Sequence, residues 1–148
     1  MDRRNFMLAG ASLFSALAAT AEGKGASLIV RVSYTGSGTI NDSHKIYVAL
    51  WDSPDFVKDH SGSMEPMLVK PISSKSGSVR FDDVQKNPVY VSMAYDPTGA
   101  WQADSPPPAG TSLGLYAKQP GVPAPVELKP GKATTISATL DDSFKNQR

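Results

Sequence analysis

The chain has 148 residues and a formal charge of +1, from 15 Lys and Arg against 14 Asp and Glu. This near-neutral balance disfavours a nucleic-acid binder, which carries a strongly basic face. The sequence contains no cysteine, so disulfides, thiolate nucleophiles, Cys-ligated zinc and iron–sulfur clusters are excluded. Its 12 glycines and 12 prolines favour a turn-rich domain of strands over a helical bundle.

Residues 1–21 have the pattern of a cleavable export signal. Arg3 and Arg4 precede a moderately apolar stretch, and Ala19-Thr20-Ala21 fits the small-x-small rule for cleavage before Glu22. The double arginine, followed by a polar residue and a phenylalanine, also resembles the twin-arginine consensus, with the general secretory pathway as the alternative. The stretch is too short for a comfortable membrane span. We therefore expect a periplasmic or secreted protein with no membrane span after cleavage of the signal.

The rest of the chain is predicted to form a single β-sandwich domain over 27–140, between a short linker at 22–26 and a polar tail at 141–148. Candidate strands are apolar in alternation or on both faces, and turn residues separate them. About seven or eight short strands with closely spaced turns indicate an all-β, antiparallel sandwich. In chain order the strands are expected at 28–34, 45–51, 67–72, 78–81, 89–95, 113–116, 125–128 and 133–140.

Two of these strands are predicted to lie at the centre of the sandwich. Residues 45–51 are largely apolar on both faces, which is typical of a strand covered on both sides. Residues 89–95 alternate strongly, with valines, a methionine and a tyrosine on one face. We therefore expect Val48 and Val91 to be buried on neighbouring strands.

The strand at 67–72 is predicted to lie at a sheet edge, because prolines stand at both of its ends and cannot donate to a neighbouring strand. The residues Ser74-Lys75-Ser76-Gly77 favour a hairpin turn into the strand at 78–81. After the strand at 89–95, residues 96–110 form a long, proline-rich loop.

Three segments together carry a resemblance to a known fold: IYVALWDSPDF at 46–56, GSVRFDDV at 77–84 leading into PVYVSMAYD at 88–96, and SLGLY at 112–116, preceded by Gly99, Asp104 and Pro108. Their order resembles the carboxypeptidase regulatory-like, or transthyretin-like, β-sandwich domains. It is also similar to an uncharacterised family of exported bacterial proteins. The resemblance spans 27–140 and implies a sandwich of the transthyretin or immunoglobulin type, but it hardly specifies function.

Candidate catalytic groups are sparse. The chain has no G-x-S-x-G segment for a serine nucleophile. His44 and His60 lie in polar segments without the further donors that a zinc site needs. Glu22, Glu65 and Glu127 form no pattern of paired carboxylates. We therefore predict that the chain is not an enzyme and uses no cofactor, with a hydrolase of unrecognised site as an alternative.

The loop after the strand at 89–95 allows a calcium site as another alternative. In the related domains this loop often reads Asp-x-Asn-x-Asn-Gly-x-x-Asp, whereas here it reads DPTGAWQAD over 96–104. Most of the middle oxygen ligands are missing, and Ca²⁺ requires about six to eight oxygens. Either Asp96 and Asp104 bind Ca²⁺, and the chain is a small calcium-binding envelope protein, or they only cap turns in their own loop.

Aromatic residues provide the best indication of binding. Trp101 stands in the proline-rich loop, where an aromatic ring can stack on a sugar or a peptide while Asp96 and Asp104 supply polar contacts. The other interpretation is that Trp101 folds back and seals the end of the sandwich. Trp51 and Tyr95 are expected to lie in the core. The leading hypothesis is a non-catalytic, exported binding module of the cell envelope whose ligand is a glycan or a protein partner.

Overall fold

The computed structural model describes residues 25–59 and 63–147, so the predicted export signal lies outside the described residues. Within them the regular secondary structure is nearly all strand, which confirms the all-β sandwich. A short 3-10 helix at Pro54–Lys58 follows the second strand. The strands are β1 Ala26–Tyr34, β2 Ile46–Trp51, β3 Leu68–Ile72, β4 Ser76–Val84, β5 Tyr90–Tyr95, β6 Ser112–Leu115, β7 Ala117–Gln119, β8 Val122–Pro123 and β9 Ala133–Leu140.

The strands form a three-stranded sheet in the order β4-β1-β9, a four-stranded sheet in the order β3-β2-β5-β6, and a small β7-β8 ribbon. Every pair is antiparallel except β1 with β9, which run parallel. This pair departs from the wholly antiparallel sandwich that was predicted. A tight turn forces antiparallel pairing only between strands that it joins, and β1 and β9 are the first and last strands of the domain.

The inward faces of the two large sheets share one hydrophobic core. Side chains alternate across each strand, so every second residue of β1, β2 and β5 is buried. Val48 and Val91 are fully buried on the adjacent strands β2 and β5, as predicted. The largest fully buried apolar side chains are Phe81, Leu28, Ile46, Leu50, Met93 and Leu140.

The chain crosses from one sheet to the other between β3 and β4. The predicted edge position of β3 is confirmed, but the predicted hairpin is wrong, because β3 pairs with β2 while β4 pairs with β1. Ile72 and Phe81 enter the same core from opposite sheets. Lys70 closes this side of the sandwich, since its Nζ donates to the carbonyl of Arg80 at 2.6 Å and lies 5.8 Å from the centre of the Phe81 ring.

Two further segments differ from the predicted strands. β4 extends to Val84 through an irregularity at Asp83, whose φ is +55°, and this keeps both Phe81 and Val84 buried. The candidate strand at 125–128 forms only an isolated bridge, in which Val126 and Val89 exchange two backbone hydrogen bonds.

Residues 141–147, predicted as a polar tail, lie along β6 and the end of the preceding loop. The Leu113 N–H donates to the carbonyl of Phe144 at 3.0 Å, and Asn146 exchanges backbone hydrogen bonds with Gly110 and Thr111. The carboxylate of Asp142 accepts hydrogen bonds from the hydroxyls of Tyr34 and Ser112. This segment therefore covers a sheet edge that would otherwise expose unpaired backbone groups.

Candidate functional site

The loop at 96–110 is organised by one buried carboxylate. Asp96 directly follows β5 and is 4% exposed. Its oxygens accept hydrogen bonds from the N–H and hydroxyl of Thr98, at 3.0 and 2.9 Å, and from the N–H of Trp101 at 2.9 Å. Burial tends to raise the pKa of Asp96, but these hydrogen bonds outweigh it and hold the pKa below its usual value. The carboxylate is therefore ionised at neutral pH and serves as the anchor of the loop.

Gly99 permits the turn that brings Trp101 back towards Asp96. Its φ is +76°, and its N–H donates to the carbonyl of Asp96 at 3.1 Å. A Cβ at this position would lie 2.7 Å from the carbonyl oxygen of Ser43. Both the left-handed conformation and the close approach therefore require glycine here.

Trp101 is half-buried, with its ring held from two sides. The indole packs edge-to-face on Tyr47, with ring centres 5.3 Å apart and planes at 77°. Its Nε1 donates to the carbonyl of Ser105 at 2.9 Å. Trp101 is thus fixed in orientation and still partly accessible to solvent. Its exposure lies between the two alternatives that the sequence allowed, a fully exposed binding residue and a ring that seals the end of the sandwich.

A shallow depression of about 300 Å³ lies within this loop. The structure brings Asp96 and Trp101 together in its wall, whereas the exposed Asp104 is not part of the lining. In the described part of the chain, no three His, Asp or Glu residues lie close enough to hold a metal ion. The lining includes Asp96, Thr98, Trp101, Ser105, Pro106 and Pro108.

The outer face of the four-stranded sheet, here called the aromatic face, continues from this depression. Tyr47 and Trp51 point outward from β2, and Tyr90 lies opposite Trp51 on β5. Trp51 stacks on Phe56 of the 3-10 helix, with ring centres 4.5 Å apart and planes at 8°, and its Nε1 donates to Ser92 at 2.9 Å.

This arrangement separates the two aromatic residues that were expected in the core. Tyr95 is buried, at 2% exposure, but Trp51 lies half-buried on the aromatic face. The physical reason is parity, because Trp51 shares the outward side of β2 with Tyr47. The apolar residues that point outward from 45–51 indicated that this face of the strand is covered by other residues. They did not show that Phe56 and Trp101 provide the cover.

Of the histidines and glutamates considered as catalytic or metal-binding groups, those that the structure describes lie outside the depression. The Nδ1 of His44 lies 3.1 Å from Oδ1 of Asn41, which also accepts from the backbone of Ser43 and His44. Glu65 and Glu127 are exposed. His60 and Glu22 lie outside the described residues.

Comparisons of the chain with protein-family models, curated protein sequences and solved structures give no match. Among residues 25–59 and 63–147, no helix is both long and apolar enough to cross a membrane. The geometry of the loop and of the sheet faces is therefore the basis for a functional proposal.

Proposed function

We propose that this chain is an exported, non-catalytic binding module of the cell envelope, related to the transthyretin-like or carboxypeptidase regulatory-like sandwiches, and that its 96–110 loop binds a glycan. The observation that carries the proposal is Trp101, half-exposed in the wall of a shallow depression and held in place by Tyr47 and Ser105. The export signal, the envelope location and the family relationship rest on the sequence patterns alone.

Preorganisation of the loop supports a binding role. Asp96 fixes one end through hydrogen bonds to Thr98 and Trp101, and the run Pro106-Pro107-Pro108 restricts the backbone at the other. A loop that is already ordered loses less entropy when a ligand binds.

The chemistry of the depression favours a sugar ring over a large apolar group. A partly exposed indole offers a flat surface for stacking, worth about 1 kcal/mol or more. Beside it, the hydroxyl of Ser105 offers a polar contact to a ligand hydroxyl. A depression of about 300 Å³ accommodates one sugar unit of a longer chain.

A calcium site in the same loop is less well supported. The oxygens of Asp96 already accept hydrogen bonds from Thr98 and Trp101, and Asp104 lies outside the depression. A cation at Asp96 would have to displace these donors and thereby dismantle the loop.

Binding calorimetry tests the proposal with soluble peptidoglycan fragments and neutral oligosaccharides as probes. We expect Trp101→Ala to weaken binding by about tenfold, because it removes the stacking surface. Trp101→Phe should retain part of the affinity. Trp51→Phe is the matched control, since it changes the other tryptophan outside the depression. Equal affinities for Trp101→Ala and the unchanged chain, or no binding by any probe, would refute the proposal.

A further inference from the structure

The outer face of the three-stranded sheet carries a second concavity, of about 360 Å³. It lies on the other sheet of the sandwich from Trp101 and shares no residue with the 96–110 loop. Five hydroxyl side chains and one guanidinium point outward along its lining, and we call this set the hydroxyl face. It consists of Arg31 and Ser33 of β1, Ser76 and Ser78 of β4, and Ser137 and Thr139 of β9.

The strand register arranges these six residues in two rows across the sheet. Ser33 is paired with Ser76 on one side and with Thr139 on the other. Arg31 is likewise paired with Ser78 and Ser137. Neighbouring strands lie about 4.8 Å apart, and residues two apart on one strand lie about 6.7 Å apart. The result is a regular grid of hydroxyl groups with a guanidinium in the middle of one row.

Arg31 has no partner of opposite charge within the described residues. It forms no salt bridge or side-chain hydrogen bond there, and no acidic residue lines the concavity. The other arginine of this sheet face, Arg80, is paired with Asp82 at 2.7 Å, and Asp82 also accepts from the Ser27 hydroxyl at 2.8 Å. Asp82 is thus already committed to Arg80 and Ser27, which leaves Arg31 without a neutralising carboxylate in the part of the chain that the structure describes.

This combination suits an anionic carbohydrate. A guanidinium holds a carboxylate or a sulfate through two parallel hydrogen bonds. The surrounding Ser and Thr hydroxyls both donate and accept, as sugar hydroxyls do. A protein partner would call for an apolar, aromatic centre, and a nucleic acid for several free cations. The hydroxyl face provides neither.

We propose that the hydroxyl face binds an acidic polysaccharide, with a carboxylate or sulfate group on Arg31 and hydroxyls of the adjoining sugars on Ser33 and Ser137. The site is independent of the Trp101 loop. A chain of sugars can extend over the face parallel to β1, because the concavity is open to solvent and all six side chains of the hydroxyl face are exposed.

Amide chemical shifts of the ¹⁵N-labelled protein locate such binding. The probes are an oligogalacturonate, a sulfated galactan oligosaccharide and a neutral galactan oligosaccharide. We expect at least one acidic probe to shift the amides of Ser33, Ser78 and Ser137, while the neutral probe leaves them in place. The two acidic probes distinguish a carboxylate ligand from a sulfate ligand. Shifts confined to the 96–110 loop, equal shifts with the neutral probe, or no shifts at all would overturn the proposal.

Affinities of matched variants test the role of the guanidinium. Arg31→Gln should weaken binding of the acidic probe by about tenfold, while Arg80→Gln, on the same sheet but paired with Asp82, should change it less than about threefold. Trp101→Ala should have no effect, which separates this site from the proposed glycan site. Arg31 is exposed, so Arg31→Gln should keep the amide spectrum and melting temperature. Unchanged affinity in Arg31→Gln would overturn the proposal, and inorganic sulfate binding as tightly as the oligosaccharides would overturn its carbohydrate part.

Discussion

Asp142 joins the C-terminal segment to the sandwich, and its removal is expected to cost a large part of the free energy of unfolding. Its carboxylate accepts two contacts from the Tyr34 hydroxyl, at 2.8 and 2.9 Å, one from Ser112 at 2.8 Å, and one from the N–H of Ser37 at 3.2 Å. Tyr34 is 4% exposed and Ser112 is fully buried. Asp142→Ala therefore leaves two buried hydroxyl donors without their acceptor.

The expected cost follows from those two hydroxyls. A hydrogen bond to a charged group contributes about 1.5–3 kcal/mol, and partial relaxation recovers some of it, so Asp142→Ala should destabilise by about 2–4 kcal/mol. Asp141→Ala is the matched control, since Asp141 is exposed and, among the described residues, accepts only from Ser143. It should cost less than about 0.5 kcal/mol.

Urea denaturation followed by circular dichroism measures both variants, and pH adds a second signature. Burial tends to raise the pKa of Asp142, but hydrogen bonds from Tyr34 and Ser112 outweigh it and lower the pKa. The resulting stability is present above the unfolded carboxyl pKa of about 4 and is lost as pH falls through the lower folded pKa. Asp142→Asn should therefore lose less stability than the unchanged chain as the pH falls below that unfolded pKa. The reasoning is refuted if Asp142→Ala and Asp141→Ala are equally stable.

Three other predictions concern stability. Val91→Ala should cost about 1–3 kcal/mol in urea melts, whereas Arg80→Ala should cost less than about 0.5 kcal/mol, and equal costs would mean that the strand faces are misassigned. Thr111→Val should be neutral or stabilising by up to about 1 kcal/mol, because the buried Thr111 hydroxyl has no partner among the described residues, and a clear loss would contradict this. Burial and the hydrogen bond to Asp142 raise the pKa of Tyr34 to about 12. Stability should therefore fall between the unfolded tyrosine pKa of about 10 and this value, and Tyr34→Phe should reduce that fall in alkaline melts.

The faces of the strands were predictable because the alternation of side chains depends only on consecutive residues in the sequence. The sequence pattern located β9 at its observed bounds, placed β2 and β5 at the centre of a sheet, and identified β3 as an edge. Each of these features depends on residues within one short segment: alternation, apolarity on both faces, or flanking prolines.

Pairing between distant segments was not predictable in the same way. The alternation of side chains along a strand indicates which residues share a face, but not which strand lies beside them. The parallel β1–β9 pair and the crossing from β3 to β4 therefore have no local signal in the sequence. Asp142 was assigned to a polar tail because its partners, Tyr34 and Ser112, lie far away in the sequence.

The candidate site was predictable in part for the same reason. Composition indicated a stiff loop with Asp96 and Trp101, and the structure brings these two residues together. The contact of Trp101 with Tyr47 depends on the fold as a whole. The hydroxyl face was not predictable from the sequence, because its serines and threonine lie on three separate strands and are brought together only by the strand register.

The most direct test of the account is the accessibility of Trp101 with and without ligand. The chain has two tryptophans, so Trp51→Phe makes Trp101 the sole source of indole fluorescence, and iodide quenching then reports its exposure. We expect partial quenching in the free protein and marked protection when a bound oligosaccharide covers the ring. Strong protection already in the free protein, unchanged by any glycan, would mean that Trp101 only seals the end of the sandwich and would contradict its role in binding.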